Sequence, residues 1–241
     1  MDTIHNKDKS NYVLSASILV AAILVSVALV YSRGLGVTEQ KAEVGAVLTG
    51  DAFEIKKDDL VFGSDGAPVT IILYSDPSCP FCAAADGNNK EVVDYLKSNS
   101  PSWTAPIPGI MENYVNTGKA KLVYRYYPGH GTGEIAMNIL YCAYDQGKFW
   151  ELNKLIGSNQ DLVSNEASIK NFAKTAGLDV AAIEACLESG KYAGKLSSDT
   201  ALGSAANING TPAFFINGKL ISGAQSFSEF KKVIDIFLNN Q

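Results

Sequence analysis

The stretch Ala67-Pro68-Val69-Thr70-Ile71-Ile72-Leu73-Tyr74-Ser75-Asp76-Pro77-Ser78-Cys79-Pro80-Phe81-Cys82 decides the fold. From Pro68 to Tyr74 it is a β-branched apolar run, long enough for a strand buried on both faces and too short for a helix. Ser75-Asp76-Pro77-Ser78 is a turn signal. A helix is predicted to follow from Pro80 to about Lys97, with Pro80 at the first helical position, where its missing N–H costs nothing. Cys79 and Cys82, three apart at that junction, then stand one turn apart on one side of the helix, within reach of a disulfide. Cys79 becomes the helix N-cap. There it faces free backbone N–H groups and the positive end of the helix dipole, which lower its pKa and make it the nucleophile. Cys82, one turn deeper, is the resolving thiol. Attack by Cys79 on a disulfide gives a mixed disulfide that Cys82 releases, and oxidation of a dithiol is the reverse.

Outward from this stretch, Lys121 to Tyr127 is the next strand, closed by Pro128-Gly129. From Glu134 to about Ala206 the pattern is helical, with Leu140, Ala143, Phe149, Leu152, Leu155 and Ile156 at helical spacing and Gly177 and Gly190 as stops. The period then returns to strands: Pro212 to Ile216, the hairpin dipeptide Asn217-Gly218, and Lys219 to Ser222. A last amphipathic helix spans about Ser226 to Leu238, with Phe230, Val233, Ile234 and Phe237 on one face. The class is α/β. Ser98 to Gly109 reads as an added loop, in which Trp103, Pro106 and Ile107 either form an apolar rim for substrates or simply pack the loop on its own Trp.

At 241 residues and 46% hydrophobic, the chain can fill one domain carrying an insertion. Its net charge of -5 and lack of clustered Lys and Arg exclude a nucleic-acid binder. Residues 1–11 read as a short cytoplasmic N-terminus and 12–31 as an uncharged transmembrane segment of about 20 residues. That run exceeds a usual signal-peptide core of roughly 7 to 15 residues, so an uncleaved signal-anchor is favoured over cleavage near Ser26-Val27-Ala28. Residues 32–56 read as a stalk with room for a first short strand, and 57–241 as the folded domain. Lys7, Lys9, Arg33 and Lys41 barely choose an orientation.

The lone CxxC could supply half a zinc site, but Cys142 and Cys186 offer no second close pair and His130 is solitary, so no metal is expected. A purely structural Cys79–Cys82 bridge would close a tiny loop and stabilise little. Gly210-Thr211-Pro212 precedes an apolar strand, where proline can hold a cis peptide and removes an N–H from the strand start. Cys142 and Cys186 lie in two predicted helices and are either an accessory disulfide or two reduced buried thiols. His130, between two glycines, is given no role.

The block APVTIILYSDPSCPFC, the helical interruption and NGTPAFFINGKLISG together resemble the DsbA-like branch of the thioredoxin superfamily over roughly residues 57–240. The resemblance implies a thioredoxin fold with an inserted helical block at about 131–206. It also implies an exposed nucleophile Cys79, its partner Cys82, and a cis Pro212 packed against the active-site disulfide. Thr211 would hold a substrate backbone by strand addition, with Pro80 and Phe81 completing the substrate-binding residues. Two departures stand out. The acidic residue the family commonly carries six positions before the nucleophile is Leu73, for which Asp76 in the turn is a poorer substitute, and no histidine lies between the cysteines.

The expected protein is a membrane-anchored thiol:disulfide oxidoreductase with its domain outside the cytoplasm, in the periplasm or at the cell surface. It would form or exchange disulfides in exported cysteine-containing proteins. No bound cofactor is expected, the disulfide itself being the reagent, and a membrane or soluble redox partner would reset it. The alternatives are a reductase or isomerase using the same site, and a redox-inert binding or chaperone module.

Overall fold

Five strands make one sheet: β1 (Leu60–Gly63), β2 (Val69–Ser75), β3 (Ala120–Tyr126), β4 (Ala213–Ile216) and β5 (Lys219–Ser222). In the computed structural model, which describes residues 50–129 and 131–240, they lie in the order β1-β3-β2-β4-β5. β2 pairs parallel with β3 and antiparallel with β4, and β1 and β5 are antiparallel edges. Three helices fill the β2 to β3 crossover: α1 (Pro80–Ala85), α2 (Lys90–Asn99) and α3 (Pro106–Ile110), the last running into a wider π turn at Met111–Val115. Five lie between β3 and β4: α4 (Glu134–Asp145), α5 (Phe149–Gly157), α6 (Glu166–Thr175), α7 (Val180–Glu188) and α8 (Lys195–Ala205). A last helix, α9 (Phe227–Asn239), follows β5. This is the mixed thioredoxin-like architecture with an inserted helical block.

The middle strand explains its own sequence. Successive side chains of a strand point to opposite faces. Accordingly Ile71 and Leu73 enter the larger core with Leu122, Phe214, Leu140 and Phe230, while Ile72 and Tyr74 enter a smaller one with Val123 and Phe215. Both faces are covered, so the run reads as continuously apolar. At the hairpin, Asn217 and Gly218 both take positive φ, 45° and 82°, as a tight two-residue turn demands. The Asn217 Oδ1 also accepts from Thr70 N at 2.8 Å, tying the hairpin to β2.

Three expectations are corrected. The helix predicted from Pro80 to Lys97 is two helices, because Gly87 turns left-handed (φ 79°) and Asn89 starts a new N-cap by accepting from Val92 N. The segment Ser98 to Gly109 is no apolar rim. Trp103, Pro106 and Ile107 are buried, Trp103 Nε1 donates to Ala224 O at 2.9 Å, and the end of the segment is helical. The stalk expected to reach residue 56 stops earlier, since Ala52 is buried against the smaller core and the carbonyls of Ala52 and Glu54 accept from Arg125. The four-residue β1 was not singled out in the sequence.

Two long-range ties hold the helical block to the sheet and to itself. Arg125 of β3 donates to both carboxyl oxygens of Asp59, and Lys195 of α8 bridges Asp59 and Asp199 at 2.9 and 2.7 Å. Asp199 in turn accepts from Tyr126 N and the Tyr141 hydroxyl. Cys142 of α4 and Cys186 of α7 are joined in a disulfide with Cα atoms 5.9 Å apart. The segment 12–31, residues 1–11, the stalk up to residue 49 and His130 lie outside the described residues. Among the described residues, no helix is long and apolar enough to cross a membrane.

Candidate active site

The turn Ser75 to Ser78 delivers Cys79 to the start of α1. Its backbone is extended (φ -81°, ψ 118°), Pro80 occupies the first helical position, and Cys79 O accepts from Cys82 N and Ala83 N, both at 3.1 Å. Both cysteines are free thiols. Opposite them the Thr211-Pro212 peptide is cis, and Cys79 Sγ donates to Thr211 O at 3.3 Å. The CxxC and the proline turn, over a hundred residues apart in sequence, therefore meet at one end of β2 and β4. Pro212 is buried, Thr211 and Pro80 are half-buried, and Phe81 stands out at 42% exposed. Cys79 itself is only 1% exposed. The expected exposed nucleophile is thus covered, because its thiol turns inward to the Thr211 carbonyl and to Cys82.

The two thiols are electrostatically unequal. A hydrogen bond from the Cys82 thiol holds Cys79 down at about 6; burial opposes it, and Thr211 with the N–H groups of Cys82 and Phe81 reinforces it. The Thr211 hydroxyl is buried with no partner among the described residues, so it can donate to the thiolate. Burial pushes Cys82 well up, and the hydrogen bond it gives to Cys79 and the Cys79 charge push it further. α1 has only six residues, so local donors rather than a long helix dipole account for the activation.

Sequence reasoning singled out Asp76 as an acid near the motif but not the clamps around this turn. Asp76 is fully buried; Oδ1 accepts from Ser78 N and Ser78 Oγ, and Oδ2 from Gly129 N at 2.7 Å. It is a clamp holding the loop after β3 over the proline turn. The approach is so close that a Cβ on Gly129 would fall 2.2 Å from Thr211 Oγ1. From the helical block, Gln160 Nε2 donates to Pro77 O and Cys79 O at 2.8 and 3.0 Å. Gln160 lies 81 residues from Cys79 with no motif around it, so only the fold reveals the contact. Behind α1, Asn153 Nδ2 donates to Asp86 Oδ2 at 2.7 Å. The spacing of Asp86 four residues after Cys82 was a readable signal, since such pairs share a helix face.

An arrangement with one thiol poised as thiolate near neutrality and a second held protonated beside it can attack a disulfide and then resolve the product. In the reduced protein, alkylation of Cys79 by iodoacetamide is expected to follow a titration with midpoint about 6, against roughly 8.5 for a free thiol. Mass-spectrometric counting of labelled Cys79 across pH measures this, and a midpoint above 8 would remove the activation. The same depression means that the reduced state gains stability as pH rises from about 6 towards the unfolded thiol's value, and loses it as pH falls through 6.

Comparison with known proteins points to the same fold. Residues 56–98 and 102–236 match the family model described as Thioredoxin. The chain is 27% identical over 164 residues to the Na(+)/H(+) antiporter NhaA 3 of Salinispora tropica, covering 67% of this chain but only 22% of the antiporter. It is 23% identical over 188 residues to Disulfide bond formation protein D of Bacillus subtilis, covering 74% of this chain and 77% of that one. The crystal structure of alpha-DsbA1 from Wolbachia pipientis superposes with a TM-score of 0.63 at 22% identity, over 78% of this chain and 94% of that one, a likeness of fold. With the family model matched over most of its length, the chain belongs to the thioredoxin family.

Proposed function

We propose that the protein is a thiol:disulfide oxidoreductase that forms or exchanges disulfides in exported, cysteine-containing proteins, with Cys79 as nucleophile and Cys82 as resolving thiol. The observation that carries the reading is the Cys79 thiol at the start of α1, hydrogen-bonded to the carbonyl before a cis proline and held at about 6. Pro212 and Thr211 form the strand-start surface to which a substrate backbone adds, and Phe81 provides the exposed apolar contact beside the thiol. Residues 12–31 anchor the chain with the domain outside the cytoplasm, where a membrane or soluble partner resets the disulfide. The Cys142–Cys186 disulfide supports an oxidising compartment. The similarity to Disulfide bond formation protein D of Bacillus subtilis supports the same activity.

Lowering the pKa of Cys79 stabilises the reduced form, which makes the Cys79–Cys82 disulfide a better oxidant. The test is the reduction potential of that pair in the full-length protein, equilibrated with glutathione buffers and read from the masses of the alkylated peptides. A potential above thioredoxin's, between about -270 and about -120 mV, is expected. A value at or below about -270 mV would indicate a reductase fed with electrons, the reading that the absent histidine favours. A pair that does not cycle would indicate a redox-inert binding module.

A further inference from the structure

We infer that Gln160 is a positioning residue for Cys79, a role that rests on the thiol:disulfide reading above. Its carboxamide holds the carbonyls of Pro77 and Cys79, and through them the inserted helical block sets where Cys79 Sγ points. Gln160 opens the short turn Gln160–Leu162 between α5 and α6. An amide NH2 group has two hydrogens to give. One goes to Pro77 O at 2.8 Å and the other to Cys79 O at 3.0 Å, so the side chain brackets the Ser78-Cys79 step. Pro77 is buried, and among the described residues Gln160 is the partner its carbonyl has, so losing the amide would leave a buried acceptor unpaired.

The carboxamide is itself held. Asn89 Nδ2 donates to Gln160 Oε1 at 2.8 Å, while Asn89 Oδ1 accepts from Val92 N, so neither amide can turn over without losing a bond. The turn that carries Gln160 comes within reach because α5 ends against α1 at a glycine. A Cβ on Gly157 would fall 2.9 Å from Asn88 Cβ and 3.2 Å from Ala83 Cβ. Ser158 Oγ donates to Asn88 O at 3.1 Å across the same seam. Cys79 N donates to Asp76 O at 2.9 Å, so Cys79 is tied through both its N–H and its carbonyl.

These ties bear on reactivity because α1 is too short to supply a long dipole. The Cys79 thiolate depends on donors aimed at one atom: the Cys82 thiol, Thr211 and the N–H groups of Cys82 and Phe81. Without Gln160 the negative ends of the Pro77 and Cys79 carbonyls are less compensated near the sulfur, and the Cys79 backbone is free to carry Sγ off its donors. Both effects disfavour the thiolate.

The test uses the full-length protein, with the iodoacetamide titration of Cys79 in the reduced state and the reduction potential in glutathione buffers. Gln160→Met keeps the volume of the side chain and removes both donors. Its Cys79 midpoint is expected about one pH unit above the native value of about 6. At pH 7 that shift disfavours the reduced form about fivefold, which lowers the potential by about 20 mV at about 30 mV per tenfold. If Gln160→Met does not fold, Gln160→Asn, whose donors fall one methylene short, takes its place with the same expected direction of shift. Ser158→Ala cuts a bond across the same seam without touching the active-site turn, and should leave both readouts at their native values. A purely structural role for Gln160 would lower resistance to urea and move neither the midpoint nor the potential. An unmoved midpoint in the Gln160 variant, or a shift as large in Ser158→Ala, would overturn the assignment. If the native pair itself does not cycle with glutathione, the thiol:disulfide reading is what fails.

Discussion

Cys79→Ser is expected to abolish turnover, with a loss of more than about a thousandfold, whereas Cys82→Ser should accumulate substrate proteins held as mixed disulfides. The asymmetry follows from the two environments. Cys79 lies at the helix start with donors around its sulfur and a pKa of about 6; replacing it removes the only thiolate present in quantity at neutral pH. Cys82 is buried and held protonated, so its loss leaves the first attack possible and removes the second. Non-reducing gels of cells producing each variant, probed for adducts that vanish on reduction, separate the roles. Adducts on the Cys79 variant instead of the Cys82 variant would invert the assignment. Adducts on neither would favour the inert module.

Arg125→Met is expected to cost about 3–5 kcal/mol of stability, measured by urea denaturation at neutral pH. Arg125 and Lys195 balance Asp59 and Asp199 in a cluster whose side chains are almost wholly out of water. Removing one cation leaves a net buried negative charge, and it also strips donors from the carbonyls of Ala52 and Glu54 and from the Tyr74 hydroxyl. Burial pushes Asp59 up, but the Arg125 hydrogen bond and the charges of Arg125 and Lys195 outweigh it, so its carboxyl is held below the usual range. Its contribution is present above the unfolded carboxylate pKa and is lost as pH falls through the lower folded value. For Asp199 burial outweighs Lys195 and the carboxyl is raised, so its contribution is full below the unfolded pKa and is lost as pH rises through the folded value. The two slopes oppose, and the native network is expected to show a shallow acid dependence. A cost below about 1 kcal/mol would mean that the cluster is replaceable by apolar packing.

Much of this could be read from the chain because it depends on local chemistry. Pro68 to Tyr74 had to be a doubly buried strand because it has no polar face, and Asn217-Gly218 had to turn because both residues accept positive φ. Cys79-Pro80-Phe81-Cys82 could be placed at a helix start from the proline alone. Where the reading failed, a neighbour in space outweighed the local pattern. Trp103 and Ile107 read equally as a rim or as a loop packed on its own Trp, and it is the C-terminal segment that decides for packing. Ala52 and Glu54 looked like a stalk, yet their carbonyls serve Arg125.

The sequence by itself therefore determined the central strand, the hairpin and the place of the cysteine pair at a helix start, because period, turn chemistry and spacing are properties of a few consecutive residues. Only the tertiary structure decided the sulfur environment. It brought Thr211 onto Cys79, Gln160 onto the carbonyls of the active-site turn, and Asn153 onto Asp86. The electrostatics of a thiol depend on donors, charges and burial within a few ångströms, and a folded chain draws those from residues that lie far apart in sequence.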